Sequence, residues 1–159
     1  MSPILNTNLF LSTHINRIDG KGRVSFPASF RSALAARNSQ GVVVFQAPAD
    51  PAVEGVTVER MQQMGAALES FPPFAAEREA FELAIFGTSQ SLQIDFEGRC
   101  SLPRALLEAV GIGNEVAFVG RGVTFQIWDP AVLADRKAKA VDALRSGATP
   151  FPTLPAGVV

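Results

Sequence analysis

One phrase occurs twice in this chain. "DGKGRVSFP" stands at 19–27 and "DFEGRCSLP" at 95–103, both reading Asp-x-x-Gly-Arg-x-Ser-x-Pro. At the same offset of 76 residues, Ile18 falls on Ile94 and Ala33 on Ala109. An internal repeat decides the architecture before any single element does. Each copy is expected to build the same unit. A β-rich unit of about fifty residues is marginal alone, so the copies are expected to pack together or oligomerise.

The second copy is the easier to read. "SLQIDFEGRCSL" alternates around a glycine-bearing turn and predicts strand, turn, strand. Pro103 opens a helix where its missing N–H costs nothing. "RALLEAV" continues it, with Leu106 and Val110 on one face, and Gly111 ends it. "EVAFV" and "VTFQIW" predict two strands joined by "GRG", with Val123, Phe125 and Ile127 on one side. The unit is ββαββ, an α+β arrangement.

The first copy follows the same plan. "THINRID", the turn "GKG" and "RVSF" predict a hairpin, "PASFRSALAAR" a helix carrying Phe30 and Leu34, and "GVVVFQA" and "GVTVE" the later strands. A longer loop, "PADPAVE", lies between those strands. Residues 59–86 predict two helices meeting at the proline corner "FPPF". Asp129 and Pro130 begin a last helix by N-cap and first-turn proline. Leu133, Ala140, Val141 and Leu144 share its face, and Asp135 can pair with Lys139. The chain thus divides into a first repeat (10–59), a helical linker (60–88), a second repeat (89–130), a C-terminal helix (131–147) and an extended or disordered Pro-rich tail (148–159).

Net charge is -1, but its distribution is uneven. Arg17, Lys21, Arg23, Arg31 and Arg37 face only Asp19 within residues 1–49, a surplus of +4. Such an end either meets an anion, nucleic acid among the options, or is a solvated face. The differences between copies sharpen the choice. Arg17, Lys21 and Arg31 of the first copy stand where the second has Gln93, Glu97 and Leu107. Phosphate repels a glutamate at a turn tip and attracts a lysine, with counterion release favouring contact. A two-stranded β-ribbon fits the major groove, and arginine reads guanine bidentately. The first hairpin is therefore the expected DNA reader, through Arg17, Lys21, Gly22, Arg23 and Arg31. Asp19, Asp95 and Arg99 are expected to hold the turns, each aspartate accepting from turn N–H groups and pairing with the arginine of its own turn.

Other chemistry finds little support. A lone cysteine, Cys100, excludes an internal disulfide and a multi-cysteine metal site. Its counterpart is Val24, so it reads as a small apolar side chain. One histidine, His14, and no tyrosine leave no catalytic constellation; no phosphate loop or nucleophile elbow appears. No enzyme activity, cofactor, metal or small-molecule substrate is expected. The opening "MSPILNTNLFLST" makes a poor leader, and no apolar run is long enough to span a membrane. Phe10, Phe26, Phe30, Phe45, Phe81, Phe86, Phe118 and Phe125 fit core or subunit interface, and Trp128 either.

"INRIDGKGRVSFPASFR" and "FELAIFGTSQSLQIDFEGRCSLPRALLEAVGIGNEVAFVGRGVTFQIWDP" resemble the MraZ family of bacterial transcriptional regulators, from about Phe10 to Arg145. Only the loop at 48–54 lacks the family pattern. The resemblance implies two tandem AbrB/SpoVT-like swapped-hairpin β-barrel repeats packed as an intrachain pseudo-dimer. It implies homo-oligomeric rings, cytoplasmic and nucleoid-associated, that bind short direct repeats of double-stranded promoter DNA upstream of their own operon in the division and cell-wall cluster. The family's paired Asp and Arg positions fall on Asp19, Arg23, Asp95 and Arg99, and its Lys-Gly-Arg on Lys21, Gly22 and Arg23. The alternatives are a ring-forming structural or protein-interaction module, or a toxin-binding antitoxin. The double length of the chain speaks against the antitoxin.

Overall fold

The structure is a computed structural model and describes residues 7–158. Residues 1–6, part of the stretch read as a poor leader, lie outside them. The first copy forms β1 (Thr13–Arg17), β2 (Arg23–Ser25), α1 (Ala28–Ala36), β3 (Val42–Gln46) and β4 (Val53–Thr57). The linker holds α2 (Val58–Leu68), α3 (Ala76–Ala84) and a 3-10 turn, Phe86–Thr88. The second copy forms β5 (Gln90–Leu92), β6 (Arg99–Ser101), α4 (Arg104–Ala109), β7 (Glu115–Gly120) and β8 (Phe125–Trp128), and α5 (Pro130–Arg145) follows. Both copies are ββαββ units.

The two copies interleave. One antiparallel sheet runs β1-β7-β8-β4-β3-β5, and β2 pairs with β6 in a separate two-stranded ribbon. Exchanging each strand for its counterpart in the other copy reverses the six-stranded order onto itself. That is an internal pseudo-twofold. The sheet keeps two edges, β1 and β5, and does not close. This is the α+β, swapped-hairpin architecture expected of a tandem repeat.

The local hairpins are where expectation and structure part. β1 and β2 leave their shared turn into different sheets: β1 lies along β7, from Thr13↔Val119 to Arg17↔Glu115, and β2 lies along β6. Crossing over places Val24 and Cys100 opposite each other, 0% and 2% exposed, as the roof of one shared core. A local hairpin would leave that roof open. Two strand limits also shift. β4 ends at Thr57, whose side chain caps α2 by accepting from Arg60 N at 3.1 Å, so Val58 is helical. β8 starts at Phe125, because Val123 and Thr124 close the turn after Gly122 (φ +85°) and Val123 is exposed.

Beneath the ribbon lie Phe10, Phe26, Phe30, Phe118 and Phe125, with ring centroids 5.2–6.4 Å apart and mostly edge-to-face. On the outer side of the sheet, Trp128 packs with Ala47, Ala52, Ala117 and Leu133, the residue that anchors α5. Phe45, Val56 and Ile85 pack with Phe81 and Phe86 under α2 and α3. Phe10, Phe26, Phe30, Phe45, Phe118, Phe125 and Trp128 are thus core, while Phe81 and Phe86 are half-buried. Asp129 caps α5 through Ala131 N and Val132 N, both at 3.1 Å, and Asp135 pairs with Lys139 at 3.1 Å. The rest of that helix's expected apolar face is not buried: Ala140, Val141 and Leu144 are exposed, beyond the half of α5 whose Leu133, Arg136 and Lys137 contact the body.

Candidate nucleic-acid interface

The repeated phrase makes two matched turns, set side by side by the β2–β6 ribbon. In the first, Asp19 Oδ1 accepts from Lys21 N at 2.8 Å and Arg23 N at 3.0 Å. In the second, Asp95 Oδ1 accepts from Glu97 N at 2.9 Å and Arg99 N at 3.0 Å. Gly22 and Gly98 both sit at φ +81°, a backbone region that a side chain resists. Each donates its N–H to the carbonyl of its own turn's aspartate, at 3.0 and 2.9 Å.

The arginines do not pair within their own turns, as the spacing led us to expect. They cross. Arg23 Nη2 donates to Asp95 Oδ2, and Arg99 Nη2 donates to Asp19 Oδ2 at 2.7 Å. The reason is directional. Each Oδ1 is filled by its own turn, and an arginine on the outer face of an antiparallel ribbon leans over the neighbouring strand. Arg23 is opposite Ser101, and Ser25 opposite Arg99. The four motif residues therefore form one lock between the copies.

Hydrogen bonds and the lock hold both carboxyls below their ordinary value of 3.8. For Asp19 the Arg23 N–H acts most, then that of Lys21; for Asp95 the Arg99 N–H leads. A depressed carboxyl stabilises the fold above its unfolded value, and that contribution is lost as pH falls through the folded one. Melting temperature should thus drop as pH falls below 3.8. An Asp19→Asn, Asp95→Asn double variant should lose less over the same acid window. Parallel curves for the two proteins would show that the lock does not titrate.

The remaining expected residues are placed as follows. Lys21 is exposed at the tip of the first turn. Arg17 is solvated, with Glu115 Oε2 at 3.9 Å. The Arg31 guanidinium lies on the second turn, where a Cβ added to Gly98 would meet its Cζ at 2.7 Å. The fifth cation of the basic end, Arg37, is spent internally: it caps the carbonyls of Asn8, Val123 and Gly122 and covers the Phe10 ring. Lys21, Gly22 and Arg23 thus share one edge with Arg99, while Arg31 reaches across to the other turn.

One residue on this edge was not singled out from the sequence. Arg104, from the start of α4, lines a concavity of about 320 Å³ with Gly20, Lys21, Gly22 and Ser101. Its counterpart in the first copy is Ala28, so comparison of the copies carried the signal.

The remaining reactive side chains pack into the fold, His14 half-buried and Cys100 buried. His14 stacks edge-on to Phe30 and contacts Ser29 Oγ at 3.2 Å, and burial lowers its pKa. Burial, then the Asp95 charge, pushes the Cys100 thiol up to about 12. Among the described residues, no group of three His, Cys, Asp or Glu could hold a metal ion, and no helix is long and apolar enough to cross a membrane.

A family model described as "MraZ protein, putative antitoxin-like" matches residues 85–142. A protein of Pelagibacter ubique (strain HTCC1062) named "Transcriptional regulator MraZ" is 42% identical over 132 residues, covering 83% of this chain and 85% of its own. Proteins of the same name from Rickettsia bellii (strain OSU 85-389) and Xanthobacter autotrophicus (strain ATCC BAA-1158 / Py2) are each 40% identical. They cover 84% and 86% of this chain, and 89% and 87% of their own.

Proposed function

The chain belongs to the MraZ family, and on that premise we propose that it is a transcriptional regulator that reads promoter DNA with its first turn. It is a regulator and not an enzyme. The observation that carries the reading is the asymmetry within a symmetric frame: two turns with matching backbone geometry are locked together, and one presents Lys21 where the other presents Glu97.

Lys21 offers a cation to phosphate. Gly22 lets the backbone come close: nothing lies within 4 Å of where its Cβ would stand. Arg23 commits Nη2 to Asp95 and keeps other guanidinium donors for a base edge or phosphate. The groove-entering ribbon is β2–β6, with one strand from each copy. Arg17 contributes phosphate attraction, and Arg31 does so from the neighbouring turn. In this division of labour, residues 10–59 carry the reading turn, 89–130 supply the partner strand of its ribbon and the scaffold turn, and 60–88 and 131–147 flank the sheet.

The operator is a set of short direct repeats upstream of the protein's own operon, in the division and cell-wall cluster. Subunits form a ring, in the cytoplasm and at the nucleoid. A ring presents several turns to successive repeats, so affinity rises by effective concentration without new contacts.

The test is fluorescence anisotropy on duplex from immediately upstream of the coding sequence, against a scrambled duplex, over a salt series. The specific duplex should bind tighter, and binding should weaken with salt. Lys21→Glu should weaken binding to both duplexes and lower the salt slope of log K by about 1, with melting unchanged. A folded protein with no preference for the upstream duplex would sink the reading.

A further inference from the structure

We propose that Arg104, in the second copy, joins Lys21 in clasping one phosphate of the DNA backbone, in the glycine-walled concavity beside the first turn. This rests on the DNA-reading function above and extends it. The edge that meets DNA is then made by both copies.

The fold builds the same place twice, and the two differ. At the first turn, Gly20, Lys21, Gly22 and Arg104 line an open concavity of about 320 Å³. Nothing lies within 4 Å of a Cβ placed on Gly20 or on Gly22. At the second turn the corresponding residues are Phe96, Glu97, Gly98 and Ala28. There Gly98 is buried and the Arg31 guanidinium lies on it. Leu107 is the counterpart of Arg31, and it turns inward at 2% exposure, leaving the first turn uncovered. Two changes add a cation at the first turn, glutamate to lysine and alanine to arginine, and two open it, phenylalanine to glycine and a covering arginine to a core leucine.

Arg104 does nothing evident for the fold. It is exposed, and neither it nor Lys21 is in an ion pair among the described residues. It stands in the first turn of α4, where the helix dipole disfavours a cation and an acidic residue would be stabilising. Opposite it, Lys21 N–H is held by Asp19, so the lysine leaves the turn in a fixed direction. Ser101 adds a hydroxyl at the same wall. Two cations, open glycine backbone and a hydroxyl suit a phosphodiester oxygen.

The experiment is anisotropy of the full chain on the upstream and scrambled duplexes over a salt series, with melting curves for every variant. Arg104→Gln should weaken both duplexes about tenfold, and Arg104→Lys should stay within about twofold of the unsubstituted chain. If the two cations share a phosphate, the Lys21→Gln, Arg104→Gln double variant loses less than the product of the single losses. Wild-type affinity in folded Arg104→Gln, with Lys21→Gln impaired, overturns the inference and leaves the function standing. Losses that multiply overturn the shared phosphate. An unsubstituted chain that binds neither duplex overturns both. A second arm titrates inorganic phosphate and follows the Gly20 and Gly22 amide resonances. Saturable shifts at submillimolar phosphate would assign the concavity to free phosphate instead, and their absence favours the DNA backbone.

Discussion

Arg23→Ala is expected to lose about 100-fold in affinity for the upstream duplex while keeping a cooperative melt. Three effects add. A cation leaves the proposed reading edge. Asp95 Oδ2 loses its partner, so an uncompensated carboxylate faces incoming phosphate. The two turns also lose half of the lock that registers them. Stability should move little, because both members of the pair are partly open to solvent and exposed pairs contribute weakly. Adding Asp95→Asn removes the orphaned carboxylate and should recover part of the binding. Arg99→Ala breaks the mirror-image pair with Asp19, in the first turn itself, and should also impair binding. The measurement is anisotropy on specific and scrambled duplexes. Unchanged affinity in folded Arg23→Ala would remove Arg23 from the interface.

The second large effect lies in the core. Phe125→Ala should cost about 3–5 kcal/mol of stability, read from urea denaturation midpoints. The ring is 0% exposed and packs against Phe10, Phe26, Phe30 and Phe118 at centroid separations of 5.2, 5.6, 5.3 and 6.4 Å. It also lies on Gly55, where a Cβ would meet the ring at 2.2 Å. Gly55→Ala in the natural background should therefore destabilise through overpacking. In the Phe125→Ala background the same methyl should be tolerated, since the atoms it strikes are gone. A loss below about 1 kcal/mol for Phe125→Ala would mean that the aromatic cluster collapses onto the vacated space.

The repeat made most of the fold legible. It placed both ββαββ units, and the proline-opened helices and the Asp129 cap fell where local chemistry put them. What sequence could not carry was which copy each strand pairs with. Asp19 and Arg23 are four residues apart and invite a local pair, yet antiparallel pairing of β2 with β6 sends each arginine to the other turn. Gln126 shows a second limit. Its place in an alternating strand puts it opposite the core-facing Phe125 and Ile127, yet Gln126 is 3% exposed. Its amide donates to Glu54 Oε2 at 2.7 Å and accepts from Arg121 Nη1 at 2.7 Å and Trp128 Nε1 at 2.9 Å. Alternation names two faces without saying what covers them. Arg104 escaped for a related reason: a residue of the supporting copy was not considered for an edge that interleaving brings to it.

Interleaving also sets a clock on synthesis. When Thr57 leaves the ribosome the first copy is complete in sequence, yet only β3 and β4 have each other to pair with. β2 has no ladder until Ser101 emerges, and β1 none until the residues of β7 follow. At elongation rates of about 5–20 residues per second that gap is on the order of 2–13 seconds. Throughout it the basic turn is tethered to a nascent chain without the crossed arginines that would shape it. The lock and the shape it gives the first turn therefore arrive only with the second copy, and a chain cut short before β6 carries the first phrase without Asp95 and Arg99 folded against it.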